Sequence, residues 1–346
     1  MNLKDVKNLA RERMKGYCRV CKECNGVACA GEVPGMGGCG SGESFKRNYE
    51  SLRNIKLVLK TIHDAKDPDT SVEIFKTKID LPLITAPVTG SSINMGGYLT
   101  EQEYSDAAVM GSIKAGTIAM TGDSANPDFY IAGLNSIKKA NGKGIAIIKP
   151  RENSKIIENI KKAEESGALA VGIDIDGAGL ITMALNGQPV GPKTLEELKE
   201  LTSSTNLPFI IKGIMCVEDA VLAVEAGASA IVVSNHGGRV LNNCLAPSDV
   251  LEDIAKEVKG KVTILADGNV REGADILKYI ALGADAVLCA RPIIWGAYGG
   301  YDDGVKLIID NFKNELKQAM ILTGCKDIKS IDKNKIVNLN KGIFNI

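Results

Sequence analysis

From residue 81 onward one pattern recurs eight times: a short apolar run, a polar or glycine-rich stop, then a stretch whose apolar positions return every three to four residues. The runs cover 81–86, 117–120, 144–148, 170–175, 208–211, 230–233, 262–265 and 286–289. Unbroken apolar runs of this length, bounded by glycine, predict parallel strands buried on both faces. The stretches between them, with groups such as Ile156, Ile157, Ile160 and Ile276, Leu277, Ile280, predict amphipathic helices. Several end in Gly-Ala (Gly167-Ala168, Gly227-Ala228, Gly283-Ala284), as helices stopped by a glycine do. Alternating strands and helices imply a parallel sheet with right-handed crossovers, and eight units in about 250 residues match an α/β fold of the (β/α)8 TIM barrel kind. An open doubly wound sheet is the alternative, but no early Gly-x-Gly-x-x-Gly turn supports it.

Ahead of residue 81 the pattern changes. Residues 1–16 predict a short charged helix, 17–42 an irregular Cys/Gly block, 45–60 a helix through Leu52, Ile55, Val58 and Leu59, and 71–78 a strand. The expected division is an N-terminal extension over 1–70 and a barrel over 71–346. With 346 residues, 45% of them hydrophobic, the chain has enough material for a large core. Lys plus Arg and Asp plus Glu both number 42, so there is no electrostatic footprint for nucleic acid or an anionic membrane. No apolar run spans a bilayer, and the start Met-Asn-Leu-Lys-Asp-Val-Lys lacks a signal-peptide core, so a cytoplasmic protein is expected. The nine cysteines are odd in number and five crowd into 18–39, which argues against a disulfide scaffold.

In a barrel the stops after the strands share one face, where active sites lie. His236 is one of two histidines and follows the sixth run inside Ser234-Asn235-His236-Gly237-Gly238-Arg239, which suits a general base with room around it. Arg239 is a planar fork for a carboxylate. Lys212 ends the fifth run, and a lysine that deep needs an anionic partner. Asp174 ends the fourth run and is the candidate to orient and charge-stabilise His236, with Asp176 competing for that role. After the seventh and eighth runs, Asp267-Gly268-Asn269-Val270-Arg271 and Ala290-Arg291 combine small residues, a helix start and arginines, as a phosphate site does.

Lys212-Gly213-Ile214, the Ser234 to Arg239 motif, Asp267-Gly268-x-Val270-Arg271 and Ala290-Arg291-Pro292 together resemble the FMN-dependent α-hydroxy-acid dehydrogenases and oxidases, the glycolate and lactate oxidase type. The resemblance runs from about residue 70 to the region of Gly304. It implies oxidation of a small lactate- or glycolate-like 2-hydroxy acid to the 2-oxo acid. His236 would be the base, Asp174 its support and Arg239 the carboxylate holder, with Lys212 stabilising negative charge on reduced flavin. Ala86, Pro87 and Val88 would run along the flavin ring. Ser234, Asp267, Gly268, Asn269, Arg271, Ala290 and Arg291 would bind the rest of FMN. It also implies a homo-oligomer, a tetramer or larger.

The sequence departs from that pattern at the third and fourth strand ends. The family's Gln and substrate-binding Tyr are replaced within Gly144 to Lys149, making Lys149 a new cation beside the substrate, and the Thr before the aspartate is Gly172. The spacing Cys18-x2-Cys21-x2-Cys24-x4-Cys29, with Cys39 beyond it, suits either an iron-sulfur cluster or zinc, or free thiols in a glycine-rich lid. The electron acceptor stays open, as does hydride against carbanion transfer. Two rivals remain: a flavin-dependent isomerase of the isopentenyl diphosphate type, against which the histidine motif argues, and a non-catalytic FMN/iron-sulfur electron carrier.

Overall fold

Each apolar run packs in two directions, because successive side chains of a strand face opposite sides. In the computed structural model, which describes residues 1–341, eight parallel strands close into a barrel. They are β1 Leu83–Thr85, β2 Ala119–Thr121, β3 Gly144–Ile148, β4 Ala170–Asp174, β5 Phe209–Ile214, β6 Ala230–Val233, β7 Thr263–Ala266 and β8 Ala286–Cys289. Each pairs with its sequence neighbours, and β8 returns to β1 through Leu288 opposite Ile84. Ile145 and Ile147 point inward to join Ile84, Met120, Ile210 and Val232 in the barrel interior. Ala146 and Ile148, one residue out of phase, pack outward under the helices. Alternate faces of a single β3 run thus serve both layers.

Residues expected to form one strand over 71–78 form a hairpin instead, Val72–Ile74 against Thr77–Ile79. The chain reverses at Phe75 and Lys76, both with positive φ (48° and 60°), as a two-residue hairpin turn requires. Ile74 and Ile79 enter the inner cluster, so the hairpin plugs the end where the barrel strands begin. The helix expected over 45–60 also stops early. Helix α2 spans Glu43–Arg53, and Ile55–Leu57 pairs antiparallel with Ile336–Asn338. Val58 and Leu59, which continued the helical spacing, are 38% and 72% exposed. The partner strand lies far along the chain, so no local signal marked the switch.

Helix α1, Leu3–Arg13, opens on a capping box between Asn2 and Asp5 and buries Val6 and Ala10. It lies against the helix Arg291–Thr323, so closely that a Cβ on Gly299 would sit 2.2 Å from the Val6 carbonyl. That long helix breaks at Gly300 and Tyr301. Among the described residues no helix is long and apolar enough to cross a membrane.

Gly172 in β4 is a packing requirement of the wall: a Cβ there would meet the Ile210 carbonyl oxygen at 2.3 Å. Gly172→Ala is therefore expected to lower stability by about 1–3 kcal/mol, as overpacking does. Urea unfolding monitored by circular dichroism measures it, and an unchanged midpoint would refute this reading of the β4–β5 contact.

Candidate active site

At the carboxyl ends of neighbouring strands three charged side chains meet. Asp174, last residue of β4, is buried and receives Lys149 Nζ on Oδ2 at 2.6 Å and Lys212 Nζ on Oδ1 at 2.9 Å. Burial alone would raise the Asp174 pKa, but His236, Lys149 and Lys212 outweigh it and hold the carboxyl well below its ordinary range. Burial likewise opposes the charge on Lys212, and Asp174, Asp176 and Asp267 overcome it, raising its pKa. Lys212 therefore carries full charge at neutral pH. Ser234 links this group onward, accepting from Lys212 Nζ at 3.3 Å and donating to Asp267 Oδ2 at 2.8 Å. Burial raises the Asp267 pKa.

His236 sits just past β6 with φ of 57°, in a turn where Gly237 and Gly238 are also left-handed. Its backbone N–H donates to Ser234 Oγ at 3.0 Å. Its Nδ1 lies 3.0 Å from Asp176 Oδ1 and 3.5 Å from Asp174 Oδ2, so both candidate carboxylates are near and Asp176 is at hydrogen-bonding distance. Helix α2 braces the turn. Asn48 and Asn235 exchange reciprocal side-chain hydrogen bonds of 2.8 and 2.7 Å, and Cys39 N–H donates to the Gly238 carbonyl at 2.9 Å.

Above these groups lies a cavity of about 400 Å3, roofed in part by Val33, Pro34 and Met36 of the Cys/Gly block. Every site residue expected from the sequence lines it except Asp174, its competitor Asp176, and Ser234. Arg239 donates through Nη1 to the carbonyls of Gly35 (2.5 Å) and Gly37 (3.1 Å) and through Nη2 to Asn94 Oδ1 (3.1 Å). Arg291 donates from Nε to Met36 O at 2.9 Å and stacks 3.8 Å over the Phe45 ring. Burial brings both guanidinium pKa values down to about 10, which leaves them charged at neutral pH.

The wall beyond β7 holds buried polar atoms without a protein partner: both ends of the Asn269 amide, Asp267 Oδ1 and Arg271 Nε. Each such orphan costs about 1–3 kcal/mol unless something satisfies it. Gly268, at φ of 101°, leaves no space for a Cβ against Tyr279 Oη. A ligand bearing several hydroxyls and a phosphate matches this donor and acceptor set, with Ala86, Pro87 and Val88 as an apolar face opposite. The residues present fit FMN.

The cysteines have different partners. Cys18 accepts from Trp295 Nε1 at 3.3 Å, while Cys24 accepts from Arg271 Nη2 at 3.4 Å. Burial opposes the Cys24 thiolate, but Arg271 and Arg291 outweigh it and lower its pKa, whereas burial raises that of Cys18. Among the described residues the one place where three metal-type ligand atoms lie within 4.8 Å is Asp174, Asp176 and His236. There two ammonium groups already hold Asp174. The geometry gives no support to an iron-sulfur cluster or zinc at Cys18, Cys21, Cys24, Cys29 and Cys39, because close sequence spacing does not converge their sulfurs.

Some residues of this site were not singled out by sequence. Asp123 stood at a strand end, yet its buried partner Arg151 carried no signal. The two form a bidentate pair, and Asp123 Oδ2 also receives the Lys149 N–H at 2.9 Å. Asn94 and Asn48 were invisible because their partners, Arg239 and Asn235, lie 145 and 187 positions away.

Removing Asp174 would leave two buried ammonium groups unpaired. Asp174→Ala is expected to cost about 3–5 kcal/mol, read by guanidinium unfolding. Because its folded pKa lies below the unfolded value of about 3.9, this stabilisation is complete above that pH and is lost only as pH falls through the lower folded value. An Asp174→Ala protein as stable as the parent at pH 7 would contradict the buried pairing.

Comparison with known proteins follows the same lines. Residues 35–184 and 181–338 match the model of the FMN-dependent dehydrogenase family. The chain is 31% identical over 340 residues to a 2-hydroxyacid oxidase of Dictyostelium discoideum, covering 87% of this chain and 84% of the relative. It is 30% identical over 319 residues to an L-lactate oxidase of Lentilactobacillus hilgardii, covering 86% of each. A crystal structure of mandelate oxidase with benzoyl-formic acid superposes with a TM-score of 0.79 at 27% identity, over 97% of both chains. Barrel, cavity wall and sequence agree: this chain belongs to the FMN-dependent dehydrogenase family.

Proposed function

We propose that the protein uses FMN to oxidise a small 2-hydroxy acid, lactate- or glycolate-like, to the 2-oxo acid. One observation carries the reading: a histidine backed by carboxylates at Nδ1 shares a cavity with a forked arginine and a wall of unsatisfied polar groups. The named activities of the relatives, 2-hydroxyacid oxidase and L-lactate oxidase, lie in the same chemical class.

Asp267, Asn269, Arg271 and Arg291 would hold the ribityl and phosphate of FMN, with Ser234, Gly268 and Ala290 shaping that wall and Ala86, Pro87 and Val88 flanking the ring. Bound there, FMN supplies the acceptor for the α-hydrogen and an electron pair. The chain supplies the rest. Arg239 and Lys149 fix the substrate carboxylate, Arg239 as a planar fork and Lys149 as a point charge. His236, with Nδ1 bonded to a carboxylate, presents Nε2 to take the hydroxyl proton as the C–H bond breaks and the carbonyl forms. Asp174 stabilises the resulting imidazolium and keeps Lys212 charged. Lys212, which lines the cavity, would stabilise negative charge on the reduced flavin.

Purified protein is expected to be yellow, with one FMN per chain. Anaerobic addition of lactate, glycolate or mandelate in turn should bleach it with at least one of them. His236→Ala should retain flavin and slow bleaching by at least about a hundredfold, the share general-base catalysis supplies. A colourless protein that takes up no added FMN would sink the assignment.

A further inference from the structure

The support of the histidine is where this site's geometry departs from the expected arrangement. Asp174 has both carboxylate oxygens committed, Oδ2 to Lys149 at 2.6 Å and Oδ1 to Lys212 at 2.9 Å. Its distance to His236 Nδ1, 3.5 Å, is longer than a nitrogen–oxygen hydrogen bond. Asp176 stands two residues on, in the 3-10 turn Ile175–Gly179 that follows β4, with Oδ1 3.0 Å from the same nitrogen. Its other oxygen, Oδ2, is buried with no hydrogen-bond partner. The histidine is thus the side chain toward which this carboxylate is turned.

The fold makes room for that arrangement in β5. The β5–β6 register shifts between Lys212 and Ile214, a bulge centred on Gly213 with φ of 106°. A Cβ at Gly213 would fall 2.7 Å from both Cβ and Cγ of Asp176. Bulges re-aim side chains beside active sites. Here one bulge sends Lys212 to Asp174 and opens the space that Asp176 occupies.

We propose that Asp176, rather than Asp174, is the positioning residue of His236, and that Lys149 is the group that withdraws Asp174 from the task. The proposal rests on His236 being the base of the proposed reaction. A carboxylate on Nδ1 fixes the Nδ1–H tautomer and the ring plane, so that Nε2 meets the substrate as an acceptor. Asp174 then acts as the counter-ion of two lysines. A sequence with a tyrosine in place of the Lys149 ammonium would leave Asp174 Oδ2 free for the histidine, which ties the two departures together.

The test uses the flavin-loaded protein, anaerobic, with the fastest acid of the lactate, glycolate and mandelate panel. Asp176→Asn is expected to keep one FMN per chain and lower the limiting bleaching rate by about a hundredfold or more, with half-saturation moving less than about threefold. Should the amide disturb the turn and lower flavin content, Asp176→Ser repeats the measurement with a smaller side chain. In a Lys149→Met background, where Asp174 Oδ2 is released beside Nδ1, Asp176→Asn should cost at least about tenfold less than in the parent, a coupling that a merely structural role would not produce. Equal costs in both backgrounds, or Asp176→Asn bleaching at the parent rate while His236→Ala is inert, would overturn the proposal and leave the base assignment standing. A His236→Ala protein that bleaches normally would instead remove the base itself.

Discussion

A single buried carboxylate governs the electrostatics at the mouth of this barrel. Asp174 ends β4 where Lys149 from beyond β3 and Lys212 from β5 converge on it. An ion of either sign at that depth is tolerable only when paired and hydrogen-bonded. Three charges from three consecutive strands therefore hold one another, and the strand ends must keep register for any of them to be satisfied. Ser234 links Lys212 to Asp267 and hence to the wall beyond β7.

The roof obeys a different constraint. Residues 33–37 have no regular secondary structure, so their carbonyls cannot be paired in a ladder. Arg239 and Arg291 supply the donors, reaching Gly35, Met36 and Gly37 from the sixth and eighth strand ends. Guanidinium groups suit this role because burial does not neutralise them near pH 7. The Cys39 N–H bond to the Gly238 carbonyl ties the same block to the histidine turn. The irregular block is accordingly built into the cavity, with Met36 and Pro34 in its lining.

Much of the barrel was legible because its signal is local. Eight apolar runs separated by amphipathic stretches gave eight strands, each end shifted by at most a few residues. Polar residues at those ends, from Lys212 to Arg291, could be read as one face without knowing a single contact. What escaped depended on pairing across the chain. The hairpin at 72–79 required recognising a reversal at Phe75-Lys76 that contains neither glycine nor asparagine. The strand Ile55–Leu57 borrowed its partner from residues 336–338. Asp174 and Asp176 could both be named as partners of His236, but only the positions of two lysines distinguish their distances. The cysteine spacing left metal and free thiols equally open, because proximity in sequence does not aim sulfur atoms.

The chain has one tryptophan. Trp295 lies near the start of the long final helix, 5% exposed, with its indole N–H on the sulfur of Cys18 at the edge of the roof. The barrel strands contribute no competing indole. Emission from this residue is consequently a gauge of how the Cys/Gly segment seats on the barrel, separable from the circular dichroism of the helices.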